Sequence, residues 1–131
     1  MTPSSQFQKL LDIFPRYVHE YLQNIPRTGG MLSTKHCRAV MDALHISAEI
    51  LMQRLLPIAK LYCATAISDF QVGAVAKAGM TDNTGDVALF LRANIEFPAQ
   101  ALTQTIHAEQ SAIINAWLQG AKRISGIAVS A

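Results

Sequence analysis

In "TIHAEQSA", residues 105–112, His107 and Glu109 stand one residue apart at the head of an apolar pattern of helical period. An imidazole nitrogen is a ready metal ligand, and a carboxylate beside it can carry a proton. Residues two apart diverge along the body of a helix, but in a first turn both can curl around the open end. Free N–H groups and the positive end of the helix dipole face the same point and favour a carboxylate or a metal-bound hydroxide there. The same letters also describe an ordinary solvated helix start, and the triplet alone does not choose between the two.

Elements must position these groups. Phe7, Leu10, Leu11, Phe14, Tyr17, Val18, Tyr21, Leu22 and Ile25 form one amphipathic helical stripe that Pro15 should kink or split. After the turn signal "PRTGG", Ser33 caps a helix through about Leu44 and Ser47 caps another running toward Cys63, with Pro57 predicting a bend inside it. "FQVGAVAKA" and "DVALFLRANIEF", joined by the turn-rich "GMTDNTGD", predict an antiparallel hairpin. From about Ala99 to Gly120 the period is helical again, with Ile106, Ile113, Ile114, Trp117 and Leu118 expected on the buried side and Gly120 closing the helix. "RISGIAVSA" then predicts a third strand, which a right-handed crossover would bring into parallel pairing.

Taken together, "SDFQVGAVA", "ANIEF" and "TIHAEQSAI", preceded by the helical "LLPIAKLYCAT", follow one another in the order and spacing of cytidine deaminases. The sequence resembles the N-terminal part of the larger, homodimeric bacterial members, and the likeness covers most of the chain, most strongly from Leu55 to Trp117. It implies an α/β fold: an N-terminal helical extension, residues 1–49, followed by the first part of a catalytic domain, residues 50–131. That domain would be an incomplete α-β-β-α-β three-layer unit with a mixed sheet.

The resemblance also implies site roles. His107 matches the zinc-binding histidine, and Glu109 the glutamate that shuttles protons without binding metal. Zinc lowers the pKa of its bound water to about 7, and the hydroxide so formed attacks C4 of cytosine. Asn94 and Glu96 match the pair that holds the ribose hydroxyls, a role that suits residues two apart on one strand face. Phe70 matches an aromatic that packs on the pyrimidine, and the backbone of Ala108 a contact for the base. Read without the resemblance, Phe70 is a core residue, and Asn94 with Glu96 a solvated strand end. One local departure is Asp69, where the relatives often carry asparagine.

A larger departure concerns the metal. A catalytic zinc site takes three protein ligands and an open position, and the family supplies two of them from a Pro-Cys-x-x-Cys motif after the strand that here reads "ISGIAVSA". Cys37 and Cys63 both precede the first expected strand and form no Cys-x-x-Cys pair, so reduced, buried thiols are expected of them. The expectation is an N-terminal portion of a longer zinc enzyme that converts cytidine and deoxycytidine to the uridines, inactive by itself. Its final strand would present an open edge that a partner chain or further polypeptide covers. The alternative is a catalytically dead nucleoside-binding or dimerisation module.

Composition narrows the remaining classes. With 131 residues, half of them apolar, the chain can bury a core. Its 11 basic and 9 acidic side chains are scattered, which gives no footprint for nucleic acid or an anionic membrane. No run approaches 18 apolar residues, and Asp12, Arg16, His19 and Glu20 interrupt the N-terminus as no signal peptide does. A cytoplasmic location is the expectation that follows, and the resemblance adds a small nucleoside as substrate and a homodimeric assembly.

Overall fold

The computed structural model describes residues 3–62, 64–65, 71–80, 86–96 and 107–130. The N-terminal stripe folds as broken helix: α1 (Pro3–Leu11), a 3₁₀ turn (Arg16–Val18) and α2 (His19–Leu22), split at Pro15 as its missing N–H dictates. Phe7, Leu11, Phe14, Val18, Leu22 and Ile25 are all buried, so one apolar stripe survives the break. His19 Nε2 lies 2.9 Å from the Phe14 carbonyl oxygen and spans it.

A second 3₁₀ turn (Pro26–Thr28) leads into β1 (Met31–Leu32), a short strand that no sequence pattern announced. Ser33 and Ser47 cap α3 (Thr34–Leu44) and α4 (Ala48–Ala59), their hydroxyls accepting from His36 N–H at 3.3 Å and Ile50 N–H at 3.2 Å. α4 carries Pro57 in its last turn and tightens into a 3₁₀ turn at Lys60–Tyr62. β2 (Ala64–Thr65) follows, then the antiparallel hairpin β3 (Gly73–Gly79) and β4 (Val87–Ala93), then β5 (Ile95–Glu96), which pairs with β2 in parallel. α5 (Ala108–Leu118) and β6 (Arg123–Ser130) complete the described fold.

The α/β architecture is as expected, but the last strand pairs differently. The main sheet has the order β1-β4-β3-β6 with every pairing antiparallel, so β6 lies antiparallel to β3. The crossover through α5 does connect strands of like direction, β4 and β6. It steps over β3 to do so, and the handedness rule concerns strands of one sheet, which need not be neighbours.

Two cores flank this sheet. On one face Val75, Leu89 and Leu91 pack with the N-terminal stripe, Cys37 and Val40 of α3, and Leu51, Leu55 and Ile58 of α4. This core draws on residues from both sides of position 49. On the other face Ala74, Ala76, Ala78, Ala88 and Phe90 meet Ala108, Ala112 and Ala116 of α5.

The orientation of α5 corrects the sequence reading. Ile114, Trp117 and Leu118 are 51%, 69% and 81% exposed, and Ile113 is half-buried. The face turned to the sheet carries Ala108, Ser111, Ala112, Asn115 and Ala116. On a sheet surface paved mostly with alanine around Phe90, the small residues of α5 make the close contact and its large ones are turned away. Apolar residues lie all round this helix, so periodicity could not say which stripe faces inward. The helix starts at Ala108, His107 being extended, so the expected start near Ala99 does not hold at that end; Ile106 lies outside the described residues. Gly120, with φ +91°, follows the C-cap Gln119 and closes the helix as expected: Ala121 N–H bonds the Ala116 carbonyl and Gly120 N–H that of Trp117.

Candidate functional site

The end of the sheet where β4 and β6 finish and β3 begins brings Gly73, Ala93 and Ser130 level with one another. Lys122 N–H bonds the Gly79 carbonyl at the opposite end, so α5, which precedes it, runs back along the sheet with its N-terminus directed toward the Ala93 end. That is the end from which Asn94 leaves β4.

His107 is the N-cap of α5. Its N–H donates to Gln110 Oε1 at 3.1 Å, the N3 half of a capping box, and its carbonyl accepts from Ser111 N–H at 2.9 Å. The residue is exposed, so its ring is not sealed among hydrocarbon neighbours. Glu109 is half-buried in the first turn, where a carboxylate suits the dipole. Between them Ala108 is buried.

Asn94 is 6% exposed. Its Oδ1 accepts from Val72 N–H at 2.9 Å, and its own N–H donates to the Val72 carbonyl at 3.1 Å, which ties the exit of β4 to the entrance of β3. The strand expected to run through "ANIEF" is broken here: β4 ends at Ala93, and Ile95 and Glu96 belong to the separate pair with β2. Alternation therefore does not by itself put Asn94 and Glu96 on one face. Phe70 lies outside the described residues, as does Cys63.

The metal chemistry of the described residues is limited. Among them no group of three or more His, Cys, Asp or Glu side chains could hold a metal ion. Cys37 is buried in the α3–α4 core, across the sheet from α5, and burial pushes its thiol up to about 11, so it stays protonated at neutral pH. At the head of α5 His107 and Glu109 are described, and among the described residues no third such side chain joins them to make a metal centre. A groove of about 580 Å³ lies elsewhere, between α4 and β6, lined by Met52, Leu56, Lys77, Gly126 and Ala128 and edged by the Lys77–Glu49 ion pair.

Sequence reasoning missed a second set of polar residues. Asn115, buried on the sheet-facing stripe of α5, donates to the Gly29 carbonyl at 3.1 Å. Gln119 Nε2 donates to the Thr28 carbonyl at 3.1 Å and to Asn115 Oδ1 at 2.9 Å. Beside this turn the Arg92 guanidinium lies 5.6 Å from the centre of the Tyr62 ring, and Tyr62 OH donates to the Ile25 carbonyl at 3.3 Å. The small-residue spacing from Ala108 to Ala116 was the available signal for Asn115.

No family model matches the chain. Individual proteins do. It is 43% identical over 102 residues to a cytidine deaminase of Sodalis glossinidius, 46% over 103 residues to one of Shewanella baltica, and 37% over 105 residues to one of Pectobacterium atrosepticum. These matches take in 78–80% of this chain and 31–33% of each relative. Over about four-fifths of its length this is cytidine deaminase-like sequence, and the chain spans about a third of the length of the curated relatives it matches.

Proposed function

We propose that the chain is the histidine- and glutamate-bearing portion of a zinc-dependent enzyme that hydrolytically deaminates cytidine and deoxycytidine. The observation that carries this reading is the identity with cytidine deaminases, joined to an α5 whose exposed N-cap is His107 with Glu109 two residues on. In the proposal His107 gives one nitrogen to zinc, and the two remaining protein ligands come from polypeptide outside these residues. Zinc, when bound, supplies an activated water. Glu109 carries the proton from that water to the base, Ala108 offers its backbone to the base, Phe70 packs on the ring, and Asn94 with Glu96 holds the sugar. We place the whole enzyme in the cytoplasm as a homodimer. Among the described residues no helix is long and apolar enough to cross a membrane.

The test is a single-chain chimera in which these 131 residues replace the matched third of the Shewanella baltica relative. It should hold about one zinc per chain and convert cytidine to uridine, and Glu109→Gln should lower kcat by at least about 100-fold while zinc stays bound. The 131-residue chain alone should show neither zinc nor turnover. Stoichiometric, tightly held zinc on the chain alone would defeat the proposal. A non-catalytic nucleoside-binding or dimerisation module is the second reading, favoured by the lone described ligand; cytidine binding to the chain, with a folded and zinc-loaded but inactive chimera, would select it.

A further inference from the structure

α5 rests on the sheet through alanines. Ala108, Ala112 and Ala116 meet Ala74, Ala76, Ala78 and Ala88, with Phe90 the one large fully buried side chain in the layer and Met31, Val72, Met80 and Ile124 packed half-buried around it. Burial presses such surfaces together, but register between packed elements is set by ridges that enter grooves, and alanine offers shallow ones. A helix on this surface can slide or rotate at small cost in buried area. Something else must fix where its first turn stands.

Asn115 lies seven residues after Ala108, about 10 Å along the axis and on nearly the same angular stripe. Its amide reaches across to Gly29, and Gln119, one turn later, reaches Thr28 and braces Asn115. Both acceptors are backbone carbonyls in the turn ahead of β1, 86 and 91 residues earlier in the chain. That turn is itself held rigidly. Thr28 Oγ1 lies 2.9–3.1 Å from the carbonyl oxygens of Asn24, Ile25 and Met31, to one of which its single proton donates at a time, and accepts from Met31 N–H at 3.2 Å. Gly29 and Gly30 take φ of +70° and +99°, and the Gly30 carbonyl accepts from Leu91 N–H at 2.6 Å. The carbonyls that receive α5 are therefore anchored to β4, the strand that ends next to Asn94.

We propose that Asn115 and Gln119 are positioning residues: bonded to the Thr28–Gly29 turn, they fix the rotation and axial height of α5 and so the placement of His107 and Glu109 at its head. This gives the N-terminal extension a task beyond filling the core, since it supplies the stop against which the helix is set. The task as a catalytic aid rests on the function proposed above; the mechanical claim does not. A displacement of about 1 Å at reacting groups costs about 100-fold in rate, so a stop of this kind matters.

The experiment measures orientation, because loss of stability alone would not distinguish positioning from packing. Backbone N–H residual dipolar couplings are recorded on the 131-residue chain, on Asn115→Leu, of similar branched shape, and on Gln119→Ala, at a half-exposed position that leaves the core untouched. In both variants the α5 couplings should cease to fit the parent helix orientation while those of β3 and β4 still fit, with the larger change in Asn115→Leu. A variant that melts earlier with all couplings unchanged overturns the proposal. Should Asn115→Leu fail to fold, Gln119→Ala decides the matter alone by the same criterion. In the chimera, Asn115→Leu should lower kcat about 100-fold with KM changed far less. Glu109→Gln serves as the control: it should abolish turnover and leave the couplings in place. An inactive parent chimera would sink the deaminase reading and leave the coupling result to stand or fall independently.

Discussion

Gly30 has the least room of any residue in the anchoring turn. A Cβ there would come 2.3 Å from the Leu91 carbonyl oxygen, a backbone atom that cannot step aside, at a φ of +99° that side chains rarely adopt. Gly30→Ala should cost about 3 kcal/mol or more, read from the urea midpoint, and should free the turn that receives α5. Cys37 gives a pH test. Its pKa is near 9 when unfolded and about 11 when folded, because burial opposes the thiolate. The folded state therefore keeps a proton that the unfolded state has lost between pH 9 and 11. The contribution is whole below pH 9 and disappears as pH rises to 11, on the order of 2 kcal/mol. Cys37→Ala should flatten the alkaline fall in stability relative to the parent chain, and an unchanged fall would contradict the assignment. Of the candidate site, the position of His107 and Glu109 at the head of a helix was legible, because an apolar pattern of helical period follows them. Asn115 was not, because a polar residue inside an apolar helix looks the same in sequence whether it faces water or a carbonyl 86 residues away.

Among the elements, those set by local chemistry were legible and those set by distant partners were not. Ser33, Ser47, Pro15 and Gly120 act on their own neighbours, and each marks a boundary where it was expected. Ser33→Ala and Ser47→Ala should each cost about 1 kcal/mol, and the double substitution their sum within about 0.5 kcal/mol, since they cap different helices. The outward face of α5 was misjudged because the deciding fact, an alanine-lined strand pair, lies in other segments. Trp117 is the sole tryptophan, and at 69% exposure its fluorescence should be quenched by acrylamide almost as freely as in the unfolded chain. Trp117→Gln should change stability by no more than about 0.5 kcal/mol. Strong shielding of the indole in the isolated chain would refute the orientation.

At the scale of the whole molecule, the described residues give the sheet one finished face and one half-covered one. Among them β6 forms an edge, and its Ile127 and Val129 stand exposed on the face that α5 covers only in part. After Arg123 the strand carries no charge through Ser130, so it lacks the usual guards against edge pairing. The chain should self-associate as its concentration rises, and Val129→Lys should shift that association to higher concentration without lowering the melting temperature, as sedimentation would show. The crossover direction was readable from the strand–helix–strand order. The identity of the neighbour was not, because nothing in "RISGIAVSA" says that β3 keeps a vacant side for it.

That vacancy has a consequence during synthesis. β3 acquires β4 within a few residues of being made, but its other flank waits for residues 123–130. On a translating ribosome the α1–α4 layer and the hairpin can close while an inner strand still shows bare amides and carbonyls to solvent. Nascent chains arrested between residues 100 and 120 should therefore recruit chaperones more strongly than chains released after β6 has docked.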